Sequence, residues 1–165
     1  MKELARLAVT VFYVGLLRPA PGTWGSLAAL PFAWAIYQIG GVWFFAFAIV
    51  AGFIKGLYFT NIYIDGKEDH DPSEVVIDEV IGQWIALAPV IYGASMMNID
   101  VTRLWPGWVC AFIFFRLFDI TKPGPVGWAD RKGGAMGVML DDVIAGVFAA
   151  IVTIGFAALF HLVLM

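Results

Sequence analysis

The chain has a single cysteine, Cys110, set among apolar residues, so it can form neither an intramolecular disulfide nor a Cys-rich metal site. Charge is scarce too. Asp, Glu, Lys and Arg make up 14% of the 165 residues, against about 25% in an ordinary globular chain. The net charge of −3 gives a nucleic-acid partner no electrostatic support. No GxxxxGK[ST] run is present, so nucleotide hydrolysis lacks its usual cradle. Apolar residues dominate instead, at 61% of the chain, and the mean hydropathy is +0.85. Too little polar surface remains to coat a water-soluble body. The length suits one domain. The expectation is therefore a single membrane-embedded domain over residues 1–165.

Hydropathy divides the chain into apolar segments. No residue is charged from Pro19 to Ile54, too long a run for one span of roughly 20 residues. Gly40-Gly41 interrupts it, which predicts a helical hairpin of about Ser26–Ile39 and Val42–Phe59. Further helices are expected at about Val75–Met97, Trp105–Ile120 and Leu140–Met165. The basic start, Lys2 and Arg6, resembles a signal peptide, but Arg18, Pro19 and Pro21 follow without a clear cleavage site. Residues 1–17 are read as retained, either lying along the membrane surface or spanning it. If the later segments all cross, Arg18, Lys55, Lys67, Arg116, Lys122, Arg131 and Lys132 fall on one side and Arg103 alone on the other. The positive-inside rule makes the first side cytoplasmic.

The acids follow the same geography. Asp78-Glu79 and Asp141-Asp142 are expected in the first turns of their helices, where the helix dipole favours them. Both pairs nevertheless sit among hydrophobic residues, and acids that near hydrocarbon usually line a site. Gly82 lies four residues after Asp78, and Gly146 four after Asp142, which puts a small residue one turn deeper on each acid's own face. A crossing of the two helices at these glycines would bring the carboxylates together. Oxygen ligands without His or Cys suit a hard cation such as Mg²⁺.

Anion binders lie nearby. Pro21-Gly22-Thr23-Trp24-Gly25-Ser26 leads into a helix that Thr23 or Ser26 would cap, with amides free for phosphate. Arg116 and Lys122 flank Asp119 and can neutralise a phosphate, although headgroup snorkelling explains them as well. Other signals fail. Cys110 and Arg116 have the spacing of cysteine phosphatases, but the residues between them are helix without glycine. Asp69-His70-Asp71 lacks the preceding strand and following residues of an aspartyl-phosphatase motif. His70 and His161 are expected near opposite faces, too far apart for a two-histidine phosphotransfer.

Four blocks occur in order between about residues 20 and 148: Pro21-Gly22-Thr23-Trp24-Gly25-Ser26-Leu27; Val76-Ile77-Asp78-Glu79-Val80-Ile81-Gly82; Arg116-Leu117-Phe118-Asp119-Ile120 with Lys122-Pro123; and Gly137-Val138-Met139-Leu140-Asp141-Asp142-Val143 with Ala145-Gly146. Together they resemble the signature blocks of the phosphatidylglycerophosphatase A family. The resemblance implies an all-α, compact multi-helix integral membrane protein whose motif loops and helix starts converge on one membrane face. It also implies a Mg²⁺-dependent enzyme of the bacterial inner membrane that removes the terminal phosphate of phosphatidylglycerophosphate. Asp78, Glu79, Asp119, Asp141 and Asp142 would be the acidic site residues, and Thr23, Ser26, Arg116 and Lys122 the phosphate-side residues. Gly124 departs from the pattern, where an aromatic is expected after Lys-Pro, with Trp128 as a nearby substitute.

The mechanism expected is metal-assisted hydrolysis with membrane lipids as surroundings. Some of the five acids, with Asp78, Glu79, Asp141 and Asp142 as the candidates, would hold the metal, and a carboxylate not bound to it, Asp78 or Asp71, would accept a proton from water. A covalent aspartyl-phosphate stays open. Two rivals are an ion- or proton-coupled transporter, which calls for mid-membrane acids or inverted repeats, and a CDP-alcohol phosphotransferase, whose D-x2-D-G pattern is missing.

Overall fold

The computed structural model describes residues 1–67 and 72–164, with the side chains of residues 160, 161, 163 and 164 left aside. The described chain is helical: α1 (Lys2–Val9), α2 (Pro21–Ile64), α3 (Ile77–Met97), α4 (Trp105–Thr121), α5 (Pro125–Asp130) and α6 (Gly134–Leu164), with 3-10 turns at Val14–Leu16 and Val101–Leu104. No strand occurs among the described residues.

The long apolar run folds back on itself within α2. Gly41 has φ +67° and ψ −164°, a region essentially reserved for glycine. Ala29, before this break, accepts a hydrogen bond from Trp84 Nε1 at 2.9 Å. Gly52, after it, packs against Ile81 and the same Trp84 ring. Along a straight helix those two residues would be about 34 Å apart. They meet one side chain because the arms, residues 21–40 and 42–64, lie antiparallel as the sequence predicts. Gly41→Ala should therefore cost about 1–3 kcal/mol, read as a lowered melting temperature in detergent. Gly93→Ala, where an added methyl meets open space, serves as the neutral control.

Helix α3 occupies the centre. Val80, Ile81, Leu87, Ile91 and Ala94 are buried, and α2, α4 and α6 all pack against it. The outer helices turn large apolar side chains outward, such as Trp43, Phe47, Ile113, Ile120 and Ile151. Such faces suit lipid and not water. Four helices are long and apolar enough to cross a membrane: Pro21–Ile64, Ile77–Met97, Val101–Thr121 and Gly134–Leu159. This is a membrane protein. Helix α1, at eight residues, reaches about 12 Å and cannot cross a hydrocarbon core of about 30 Å. It packs against α2, and the amide of Val76, just before α3, donates to Val9 O at 2.9 Å.

Two expectations are corrected. Helix α6 begins at Gly134, not near Leu140, because Gly133 and Gly134 (φ +66° and +64°) make the break from α5 there. Asp141 and Asp142 therefore lie about two turns inside α6, and the helix dipole does not account for them. Asp78 and Glu79 do occupy the first turn of α3.

The crossing of α3 and α6 is a contact of backbone on backbone. A methyl built on Gly82 would lie 2.7 Å from the Asp142 carbonyl oxygen and 2.5 Å from the Phe115 ring, and one on Gly146 would run into the Gly82 carbonyl. Both glycines are needed for the approach that the spacing predicts.

Candidate active site

The starts of α2 and α3, the end of α4 and the third turn of α6 meet around one cavity of about 320 Å³. Asp78, Glu79, Asp119, Asp141 and Asp142 line it together with Arg116 and Lys122. Seven of the nine residues singled out in the sequence are thus brought together.

Their oxygens form two overlapping groups. One oxygen each from Asp78, Glu79 and Asp142 lie within 4.8 Å of one another, and so do oxygens of Asp119, Asp141 and Asp142. Asp142 belongs to both. Asp78, Asp141 and Asp142 are 7%, 5% and 3% exposed. Glu79 Oε2, Asp141 Oδ1 and Asp142 Oδ1 are buried with no hydrogen-bond partner. Buried carboxylate oxygens without donors are costly, and either group is close enough to hold a cation.

The basic residues satisfy some of the acids. Arg116 Nη1 donates to Asp119 Oδ2 at 2.5 Å and to Ser26 Oγ at 3.4 Å, while its buried Nε has no partner. Lys122 Nζ donates to Asp141 Oδ2 at 3.0 Å and also to Asp130. Burial opposes the charge on Lys122, but the hydrogen bonds and charges of Asp130 and Asp141 outweigh it and hold its pKa above the ordinary lysine value. Lys122 stays an ammonium at any physiological pH.

Thr23 and Ser26 behave differently from the expectation. Pro21 opens α2 after Ala20, with no side-chain cap, because proline's fixed φ suits the first helical position. Thr23 and Ser26 thus lie inside the helix and do not line the cavity. The Ser26 hydroxyl donates to Gly22 O at 2.8 Å and reaches the site only through Arg116. Asp71, the alternative proton acceptor, and the rest of Asp69-His70-Asp71 lie outside the described residues, as does the His161 side chain.

Two features escaped the sequence reading. Gly22 lines the cavity because a methyl there would collide with Glu79 Oε1 and sit 3.1 Å from Arg116 Nη1. Gly22→Ala should lower activity about tenfold, with little change in melting temperature, since the end of Glu79 can swing aside. Asp130 pairs with Lys122 across the Gly124-Pro125 turn, a partnership that spacing does not reveal. Gly124 itself has φ +46°, where an aromatic residue would be strained. Trp128 is exposed, with Lys132 Nζ 4.1 Å from its ring centroid.

Residues 7–157 match the family described as phosphatidylglycerophosphatase A. Over 141 residues the chain is 37% identical to the phosphatidylglycerophosphatase A of Escherichia coli K12, covering 84% of this chain and 75% of that one. The Haemophilus influenzae protein of the same name is 35% identical over 142 residues, covering 86% and 81%. A Bacteroides thetaiotaomicron protein provisionally named phosphatidylinositol-3-phosphatase is 36% identical over 146 residues, covering 86% of each chain. No solved structure gives a significant match.

Proposed function

The chain belongs to the phosphatidylglycerophosphatase A family and is a membrane phosphatase; from that premise we propose that it hydrolyses phosphatidylglycerophosphate to phosphatidylglycerol and inorganic phosphate with Mg²⁺. The observation that carries this reading is the pair of overlapping carboxylate groups opening on the same cavity as Arg116 and Lys122. The donor set is entirely carboxylate oxygen, and three of its buried oxygens lack partners, which fits a hard divalent cation. Asp78, Glu79 and Asp142, or Asp119, Asp141 and Asp142, would hold it. What the cation supplies when bound is withdrawal of charge from the phosphoryl oxygens.

The chain's own residues carry the rest. Arg116 has an unused buried Nε donor and Lys122 a permanent charge. They bind the phosphate's equatorial oxygens, where charge accumulates as the bond to the glycerol oxygen breaks. Asp78, in the first turn of α3, would take a proton from the attacking water only through the carboxylate oxygen that the cation leaves free. Asp78 then returns that proton to the leaving alkoxide, giving the free hydroxyl of phosphatidylglycerol. The acyl chains remain in the bilayer beside the outward apolar faces. The excess of Lys and Arg on the loops next to the site favours the cytoplasmic side of the inner membrane.

The test is phosphate release from purified protein given phosphatidylglycerophosphate, with Mg²⁺ or with chelator. Mg²⁺-dependent release is expected, and none under any divalent metal would defeat the reading. Phosphatidylinositol 3-phosphate is the comparison substrate, given the name of the Bacteroides relative. Faster release from it would overturn the substrate assignment. Neither the family match nor the named relatives support a transporter.

A further inference from the structure

We propose that the cavity holds two divalent cations bridged by Asp142, with Asp78 and Glu79 completing one position and Asp119 and Asp141 the other. The inference rests on the reading of the cavity as a divalent-metal site and adds its stoichiometry and the role of one residue.

Geometry is the first support. Oxygens of Asp142 belong to both clusters, and within each cluster the donor atoms lie inside 4.8 Å. A carboxylate shared by two ligand sets is how paired cations are held about 3.5–4 Å apart. The second support is independent of the clustering. Asp141 and Asp142, 5% and 3% exposed, line the cavity and each keep an oxygen without any hydrogen-bond partner.

Charge leads to the same count. Five carboxylates line the cavity against two cationic side chains, a formal excess of three negative charges. One divalent cation leaves the cavity negative, so a phosphate monoester dianion would still be repelled. A second makes it positive. The positions also differ in kind. Asp119 and Asp141 already have Arg116 and Lys122 as partners, whereas Asp78 and Glu79 form no ion pair among the described residues. A cation at the Asp119–Asp141 position competes with those side chains and binds more weakly.

Mn²⁺ alone, titrated into the purified metal-free full chain, tests this by electron paramagnetic resonance and equilibrium dialysis. Two ions per chain are expected, the second bringing a spin-coupled pair signal that scattered surface ions cannot give. Asp78→Asn and Asp119→Asn should each bind one ion, without coupling. Glu79→Gln and Asp141→Asn form a second pair with the same expectation, in case either first variant fails to fold by circular dichroism. One ion per wild-type chain, or two without coupling, overturns the bridged pair while leaving Mg²⁺-dependent hydrolysis standing. No ion bound, with phosphate release unaffected by chelator, defeats the metal reading itself.

Discussion

Asp142→Asn should lower kcat for phosphate release by on the order of 10³-fold or more, and raise the melting temperature of the metal-free protein. The two effects have one cause. Asp142 is buried, one of its oxygens has no donor, and oxygens of four other carboxylates are grouped with its own. A charge held that way destabilises the fold unless a cation is present. Asparagine keeps the shape, removes the charge and adds a donor for the neighbouring oxygens. A gain of about 1–2 kcal/mol is expected in chelator. Mg²⁺ should stabilise the wild type, because it binds the folded state alone, and should stabilise the variant much less. Melting curves with and without Mg²⁺, beside the activity assay, check both effects. A variant that keeps a tenth of wild-type activity would remove Asp142 from the centre of the site.

Gly146→Leu should abolish activity, and Gly146→Ala should lower it about 10²-fold while costing about 1–3 kcal/mol. The added carbon meets the carbonyl of Gly82, which is backbone and cannot rotate away. Helix α6 must then move off α3, and the acids one turn away move with it. Gly155→Ala lies on the same helix in open space and should match the wild type in both measurements. Equal damage from both alanine variants would show that α6 is sensitive to any change, not to this contact.

The hairpin and α3 and α4 were legible because apolar length and the Gly40-Gly41 interruption are local properties. The convergence of Asp78 with Asp142 was legible as well, through the glycine one turn deeper on each helix. The start of α6 was not. The run Lys132-Gly133-Gly134-Ala135-Met136-Gly137 has a loop's composition, and it becomes helical where Gly137 packs on the backbone of Ala129 and Lys132. Tertiary contact overrode weak propensity there. The capping expectation failed for a different reason. Pro21 is itself a start signal, yet Thr23 and Ser26 are stronger capping types and drew the helix start too far along. The engagement of Lys122 with Asp130 and Asp141 depends on how α5 turns back between α4 and α6, and no periodicity encodes that.

The burial of most of α3 bears on how the protein is made. Synthesis releases the α2 hairpin first, then α3, and only later α4 and α6. When α3 enters the bilayer it has one of its three main neighbours, while Gln83, wholly buried in the finished fold, and the acids at its start still await theirs. Half-built chains thus expose polar groups to lipid that the complete protein hides. Truncation after α4 should leave a product that membrane quality-control proteases remove, even though every helix it contains is already in place.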